Sequence, residues 1–542
     1  MALGFLPPSG LSAEPDPPGS TKLRLQPLGS YREVVEVGGR KVCRQDLAKI
    51  VAYDSATRRL FVNNIADAAV DILDAANPRK LTLLRRVAVG AFGTPTSVAV
   101  SHGLVAVAVE TTGARATEPG SVLLLDTGGR ILRRLKVGVG PDTVIFTPDG
   151  KTLLTADEGE PSEDYTRDPD GSVSLVDLTR GPLKAKVTTV GFRRFTAPML
   201  RKKGIRIFGP GATATQDLEP EYIAVANDGR TAWVTLEENN ALAIVDIAAA
   251  RITDIVALGT KNHARAGAGL DASDEDGKIN IATWPVRGMF QSDQIAAYQA
   301  GGSAYLVLAN EGLPRTYEGF DETARVADLT LDPRIFPNAA ALQRDERLGR
   351  LQVTTVGADP DGDGKVERLR SFGGRSFSIR RADGSLVYDS GDLIERVISR
   401  NRIYAPARNL FNTPDDENAF DDRSDNRGPE PEGVTIGSIA GRVYAFVGLE
   451  RMSGIVVVDV TNPRRPVFQQ YVDARDFTQD PAAVGGADQD KYVNCAAGDL
   501  GPEGLLFIPA RQSPTGEALL AVAFETSGSM RLFRIGTADG TR

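Results

Sequence analysis

The sequence predicts an all-β fold: a seven-bladed β-propeller closed by an N-terminal strand and interrupted by long loop insertions. Three observations predict it. A grammar of short strands repeats about seven times along the chain. Strand after strand ends on a carboxylate, as in LLTADEGEP (153–161), where an apolar run meets Asp157, Glu158 and Glu160. The last repeat stops with too little chain behind it for a fourth strand, while an unassigned strand stands ahead of the first repeat.

The elements follow in chain order. Residues 1–21 have no basic n-region, and Pro7 and Pro8 arrive before an apolar h-region could form, so they read as a flexible leader. KLRLQPLGSY (22–31) is the unassigned strand. The first copy is KIVAYDSATRRLFVNNIADAAVDILDAANP (49–78), the second TSVAVSHGLVAVAVETTG with GSVLLLDTGG (96–129), and the third DTVIFTPDGKTLLTADEGE with GSVSLVDL (142–178). EYIAVANDGRTAWVTLEENNALAIVDI (221–247) holds three apolar runs separated by Asn227-Asp228-Gly229 and Asn239-Asn240 turns, the pattern of a β-meander. DQIAAYQAGGSAYLVLANEG (293–312), EGVTIGSIAGRVYAFVGLERMSGIVVVDVTNP (432–463) and EGLLFIPARQSPTGEALLAVAFETSGSMRLFRI (503–535) complete the series, and every copy but the last has room for a fourth strand. Radial closure leaves few sheet edges exposed, which favours a propeller over a sandwich or solenoid. Strand 22–31 is therefore expected to complete the last blade, making 22–536 a single domain with a 537–542 tail.

Three insertions interrupt the repeats: 190–216, 259–292 and 313–430, the last with its own strand pair in RSFSIRRADGSLVYDS. Loops this long inside compact repeats usually cover or build a site. Cys43 and Cys495 fall in first-blade and last-blade territory, where a disulfide is within geometric reach; two separate small hydrophobes is the other reading.

Composition narrows the chemistry. With 63 basic against 71 acidic residues and a net charge of −8, nothing favours nucleic acid or an anionic membrane, and cations are the better guests. No stretch approaches the roughly 20 apolar residues that span a bilayer. Two cysteines and two histidines exclude most Cys/His zinc sites and leave a Ser-His-Asp triad without a suggestive base, His102 reading as a turn residue in VSHGL. Any metal must be held mainly by oxygen, which suits calcium foremost, with magnesium, manganese or iron as a further ion.

In an antiparallel hairpin the first residue of one strand and the last of its partner share an end. The copies place acids at both positions: Asp142 with Glu158, Glu221 with Glu237, Asp293 with Glu311, Glu432 with Glu450, and Glu503 with Glu525. Glu110 stands opposite Thr96, and the first copy offers Lys49 and Asn64, leaving a gap that could admit a ligand. Because the first strand of a blade lies nearest the axis, these side chains are expected to ring one mouth. About eleven acids cannot all ionise there without compensation from cations, protons or arginines. Arg287, Arg315, Arg427 and Arg451 are candidates for that compensation. The competing expectation is a ring of staples, each acid accepting backbone N–H groups from the neighbouring blade.

Two further clusters have the alternating acids of a calcium loop: Asp359, Asp361 and Asp363 in DPDGDGKVE, and Asp271, Asp274 and Asp276 in DASDEDG. The twelfth position of an EF-hand would fall on Arg370, so the first is not an EF-hand. Either could instead be a solvated turn. DDENAFDDRSDNRGPEPEG (415–433) is expected to fold over the same mouth, against the alternative of a disordered charge run.

Taken with DLEPEYIAVANDGRTAWVTLEENNALAIVDI, WPVRGMFQSDQIAAY, YAFVGLERMSGIVVVDVTNP and GDLGPEGLLFIP, these stretches resemble the choice-of-anchor I family, from about residue 25 to 536. These are exported bacterial proteins similar to the animal mesenchyme-specific cell-surface glycoprotein. The resemblance implies a single seven-bladed propeller outside the cytoplasm, extracellular or periplasmic, released or held by varied C-terminal anchors. No sorting tail follows Ile535, so this member reads as anchorless. Some relatives are described as alkaline phosphatases, and the acidic mouth is similar in kind to calcium-dependent PhoX-type phosphatases and propeller phytases. Many relatives carry Glu before IVAYD where this chain has Lys49, so its ring is one acid short.

Two functions are expected from these residues. In the first, the chain is a metal-dependent phosphoester hydrolase acting on a small phosphorylated substrate, with the mouth acids as ligands and Arg315, Arg427 or Arg451 as phosphate clamps. In the second, it is a non-catalytic extracellular module stabilised by calcium, its propeller a platform for an extracellular ligand.

Overall fold

The computed structural model describes residues 22–400, 410–482 and 491–537. Its frame is seven four-stranded antiparallel sheets. Blade 1 runs from Val51–Asp54 to Thr82–Ala88, blade 2 from Thr94–Ser101 to Ile131–Val139, and blade 3 from Pro141–Phe146 to Lys186–Gly191. Blade 4 runs from Ile223–Val225 to Arg251–Ala257, blade 5 from Ile295–Ala300 to Leu386–Asp389, and blade 6 from Pro431–Ile439 to Val467–Asp473. Blade 7 starts at Pro502–Ile508 and is completed by the N-terminal strand Leu23–Tyr31, which pairs antiparallel with Ser529–Thr537 from Leu23↔Thr537 to Tyr31↔Met530. The closure expected from the missing fourth strand is therefore present.

The first strands of successive blades touch one another in turn, and the strand of blade 7 touches that of blade 1, which closes the ring. They enclose an axial cavity of about 510 Å³ lined by residues of all seven, Val51, Val98, Ile145, Ile223, Ala296 and Leu506 among them. The core lies between blades rather than at the axis. Phe61 and Ile72 of blade 1, for example, pack on Val105, Val107 and Leu123 of blade 2. Equivalent clusters fill the other interfaces, and blades 7 and 1 join through Leu60, Leu73, Leu519 and Leu532. A second strand packed on both faces explains continuous apolar runs such as LVAVAV in place of an apolar/polar alternation.

The insertions differ from the sequence expectation in one respect. Ser376–Arg381 and Leu386–Asp389 are not a separate strand pair inside an insertion; they are the third and fourth strands of blade 5, with Tyr305↔Arg381 to Asn310↔Ser376 in register. The 65 residues separating Asn310 from Ser376 hid that pairing. Segments from two of the insertions also merge into one five-stranded sheet, built from Thr260–Asn262, Arg287–Met289, Arg370–Ser371, Gln352–Thr354 and Thr323–Arg325. It sits over its own core of Trp284, Val326, Leu348 and Val353. The 415–433 segment is ordered, with Asp421, Ser424, Asp425 and Glu430 fully buried, so the disordered alternative does not hold.

Cys43 and Cys495 are disulfide-bonded, their Cα atoms 5.1 Å apart. They lie beside the propeller, in and next to a small sheet made of Val34–Val37, Arg40–Arg44 and Tyr492–Val493. Residues 1–21 and 538–542, expected as leader and tail, fall outside the described residues.

Candidate cation site at the propeller mouth

One register repeats in every blade. Val98 pairs with Val107, Val144 with Thr155, Ile223 with Val234, Ile295 with Leu308, Val434 with Val447 and Leu505 with Val522. In each pair the first residue stands two positions after the first-strand mouth residue, and the second stands three before the second-strand acid. The mouth acids are thus set by one local geometry. A proline starts the first strand of blades 3, 6 and 7, and the ladder is irregular immediately after it, at Asp142, Glu432 and Glu503. A bulge there re-aims the side chain that follows the proline. The second acid is pinned through its backbone: Glu158, Glu450 and Glu525 donate N–H to the carbonyls of Gly140, Glu430 and Gly501, at 2.8–2.9 Å.

The same register corrects one sequence assignment. Val51 pairs with Val62 in blade 1, so the second-acid position belongs to Ile65 and not to Asn64. Asn64 turns instead toward Asp71, donating at 3.2 Å.

The carboxylates converge. Oxygens of Glu221, Glu237 and Asp293 lie within 4.8 Å of one another, as do those of Asp293, Glu311 and Glu432, and those of Glu311, Glu430 and Glu450. Their charges are compensated unequally around the ring. Lys49 reaches Glu503 at 3.1 Å and Glu525 at 3.7 Å. Arg427 pairs with Glu311 and Glu430, both at 2.7 Å, and Arg451 pairs with Glu450 at 3.0 Å, Asp415 at 2.7 Å and Glu430 at 3.1 Å. Among the described residues no lysine or arginine ion-pairs with Asp142, Glu158, Glu221, Glu237, Asp293 or Glu432. One arc of the mouth is neutralised and the other is bare.

Titration follows this division only in part, since acids on both arcs are raised and only Glu430 and Glu525 are lowered. Burial, then neighbouring carboxylates, pushes Glu158, Glu221, Glu237, Asp293 and Glu432 well above the usual carboxylate range. Burial likewise raises Asp142, and Glu503 is raised by burial and then by Glu525. Glu110 is pushed up to about 7 by burial and then Glu160, and Glu450 to about 8 chiefly by burial. Burial acts to raise Glu430 as well, but Arg427, Arg451 and Arg423 outweigh it and bring it down to about 2.

The staple expectation is met at one acid: Glu237 accepts the Gly312 N–H of blade 5 at 2.9 Å. One oxygen each of Glu221, Glu432 and Glu503 is buried with no hydrogen-bond partner. Glu221, Glu237 and Asp293, with oxygens within 4.8 Å, no lysine or arginine ion-paired to them and one buried Glu221 oxygen unpartnered, fit a hard divalent cation.

The four candidate arginines occupy different places. Arg315 is 2% exposed, bonded to Asp217 and to Glu219 at 2.9 Å, with its guanidinium over the Phe208 ring. Arg427 and Arg451 are held by the carboxylates named above. Arg287 is exposed on the insertion sheet, near Arg370 and away from the mouth. Arg315, Arg427 and Arg451 are thus each ion-paired with protein carboxylates.

Sequence reasoning missed Glu219 and Glu430. Both precede a Pro-acid pair, as EPE, where blades 3 and 7 have Gly140 and Gly501. The substitution of an acid for that glycine was the available signal. Asp274 is also placed otherwise than expected, in a bidentate pair with Arg350 at 3.0 Å. Asp359, Asp361 and Asp363 do cluster with Glu367, but Arg334 and Lys365 stand among them. The gap at Thr96 and Lys49 opens into a cavity of about 230 Å³ lined also by Glu110, Asp142 and Glu158.

Fold and site together define a β-propeller with a carboxylate-lined mouth. The chain belongs to the choice-of-anchor I family, whose domain model matches residues 49–463. It is 30% identical over 326 residues to the mesenchyme-specific cell surface glycoprotein of Strongylocentrotus purpuratus, spanning 52% of this chain but only 42% of that protein's length. It is 29% identical over 203 residues to Gigasin-3a of Magallana gigas, covering 37% of this chain and 68% of that one. Among solved structures it is similar to Kuenenia stuttgartiensis hydrazine synthase, with a TM-score of 0.45 at 13% identity, covering 92% of this chain and 97% of that one. No helix among the described residues is long and apolar enough to cross a membrane.

Proposed function

We propose that the protein is a non-catalytic extracellular or cell-surface module whose acidic mouth holds calcium as a structural ion. The observation that supports this reading is that Arg315, Arg427 and Arg451 are each ion-paired with protein carboxylates, which favours a counter-charge role over phosphoryl binding. The bare arc, Glu221, Glu237 and Asp293 with Glu432 beside them, would hold the ion. Oxygen-only, flexible carboxylate donors suit calcium ahead of magnesium, manganese or iron. The name of the sea-urchin relative, a cell surface glycoprotein, supports a location outside the cytoplasm. The cavity beside Lys49 is the seat for an extracellular ligand bearing both acidic and basic groups.

A second reading, a metal-dependent phosphoester hydrolase, is favoured by one observation: Asp293 and Glu311 each belong to two adjacent carboxylate triples, as a centre with bridged ions requires. Bound cations would there act as Lewis acids on phosphoryl oxygens. Metal analysis joined to a panel of phosphomonoesters and diesters, each with calcium, manganese and iron supplied, separates the two. The proposed reading expects bound calcium, a melting temperature lowered by chelation, and no turnover. Metal-dependent turnover that is lost in Asp293→Asn would replace it with the hydrolase.

A further inference from the structure

We infer that the outer face of the five-stranded insertion sheet is an oxyanion site, which takes a sulfate- or phosphate-type group between Arg287 and Arg370. It is separate from the cation at the mouth and does not depend on the function proposed above. Asn262, Arg287 and Arg370 are ladder partners on three adjacent strands, Asn262↔Arg287 antiparallel and Arg287↔Arg370 parallel. Val353 pairs with Ser371 on the next strand, which sets Thr354 across from Arg370. Side chains paired across a ladder share a face, so the two guanidinium groups leave the sheet side by side from strands about 4.8 Å apart.

The next row of the ladder fixes which face this is. Lys261, Gly288, Ser371 and Val353 are paired in turn and all buried, Val353 within the core under the sheet. The arginine row therefore lies on the opposite face. Arg287 is exposed there, Asn262 and Arg370 are half-buried, and Thr354 is covered by Arg206, which donates to its Oγ1 at 3.3 Å. Arg206 is also ion-paired with Glu322, so its charge is matched within the protein. Asn262 Oδ1 accepts the Ala264 N–H at 3.1 Å, which leaves its amide nitrogen as a donor beside Arg287. A Cβ at Gly357 would lie 3.4 Å from Arg370 Nη1, so the chain passes this guanidinium without a side chain to cover it.

Among the described residues, no aspartate or glutamate ion-pairs with Arg287, Arg368 or Arg370, and no hydrogen bond holds any of these three guanidinium groups. By contrast Arg206, Arg325, Arg350 and Arg375, around the same sheet, each pair with a carboxylate. Like charges at paired positions repel. Burial, then Arg368, Arg206 and Arg287, holds the Arg370 guanidinium below its usual range, and no carboxylate offsets them. Guanidinium groups are flat forks of N–H donors that meet the oxygens of a sulfate or phosphate two at a time. Two forks side by side, with Asn262 beside Arg287 and Arg368 close to Arg370, supply the charge and the donors for one tetrahedral dianion. That chemistry is shared by a free ion and by an ester carried on a sugar.

Calorimetric titration of the intact protein tests this, at constant ionic strength so that screening does not change, and in chelator so that the mouth holds no cation. The probes are inorganic sulfate, inorganic phosphate, glucose 6-sulfate and glucose 6-phosphate. One saturable site per chain is expected, with affinity at least about tenfold weaker in Arg287→Gln and in Arg370→Gln. Arg370→Lys, which keeps the charge and loses the fork, should weaken it as well. Arg130→Gln, at an exposed arginine of blade 2, should leave it unchanged. Tighter binding of the sugar esters identifies an ester as the ligand, and tighter binding of the inorganic ions identifies a free ion. Arg287 is exposed, so its variant keeps the test valid even where Arg370→Gln does not fold. The inference is overturned by absence of saturable binding with all four probes, by unchanged affinity in Arg287→Gln, or by an equal loss in Arg130→Gln.

Discussion

Glu430 carries the largest electrostatic load at the mouth, held by Arg423 at 2.6 Å as well as by Arg427 and Arg451. It does so from a left-handed backbone, φ 49°, at the position where blades 3 and 7 use Gly140 and Gly501. Strain of that kind persists only where surroundings over-determine it. Replacing it by Gln removes the ion-pair partner of Arg423 and weakens the compensation of Arg427 and Arg451, so Glu430→Gln should cost about 3 kcal/mol in urea unfolding. A loss below about 1 kcal/mol would remove it as the hub. Lys49 makes the opposite case, since it substitutes for a cation in its sector. Lys49→Glu should lower stability in chelator yet raise calcium affinity by about tenfold, read by calorimetric titration. Both residues bear on what a sequence can disclose. Lys49 stands out because its position in the repeat is filled by acids in five other copies. The arginine partners of Glu430 come from a loop and from the next turn, and no periodicity points to them.

At the scale of elements, repeats made the blades legible because every copy solves the same local problem with the same turns. The N-terminal strand was legible for the same reason, as the piece the last copy lacked. Deleting residues 1–31 removes Leu23 and Leu25 from the blade 6–blade 7 core and leaves Ser529–Thr537 as an open edge. That variant should lose cooperative unfolding and aggregate, as judged by calorimetry and light scattering. What stayed hidden was pairing across distance: the outer half of blade 5 returns only after a long excursion, and the five-stranded insertion sheet is assembled from segments of two to three residues. Strands that short carry no alternation to read. The Pro-acid pair ahead of the first strand's apolar run, by contrast, is written plainly as GPD, EPE, EPE and GPE. The disulfide closes a separation of 452 residues, so reducing it should destabilise the folded state by about 2–5 kcal/mol.

At the scale of the whole molecule, the ring gathers more negative charge than its lysine and arginines neutralise, and that surplus sets how stability depends on pH. A carboxyl whose folded pKa is raised binds more protons in the native than in the unfolded state, so stability falls as pH rises between the two values. Glu110, at about 7, and Glu450, at about 8, define that window from an ordinary glutamate value of 4.5, and the bare acids of the other arc act in the same direction. Glu430 has the opposite sign, stabilising at neutral pH and losing that contribution only as pH falls toward 2. The most direct test is therefore the melting temperature of the intact protein across pH, in chelator and in calcium. The melting temperature should fall from about pH 5 to about pH 8 in chelator, and calcium should abolish most of that fall. A profile that is flat in chelator, or that calcium leaves unchanged, would contradict the claim that the mouth is built around a cation.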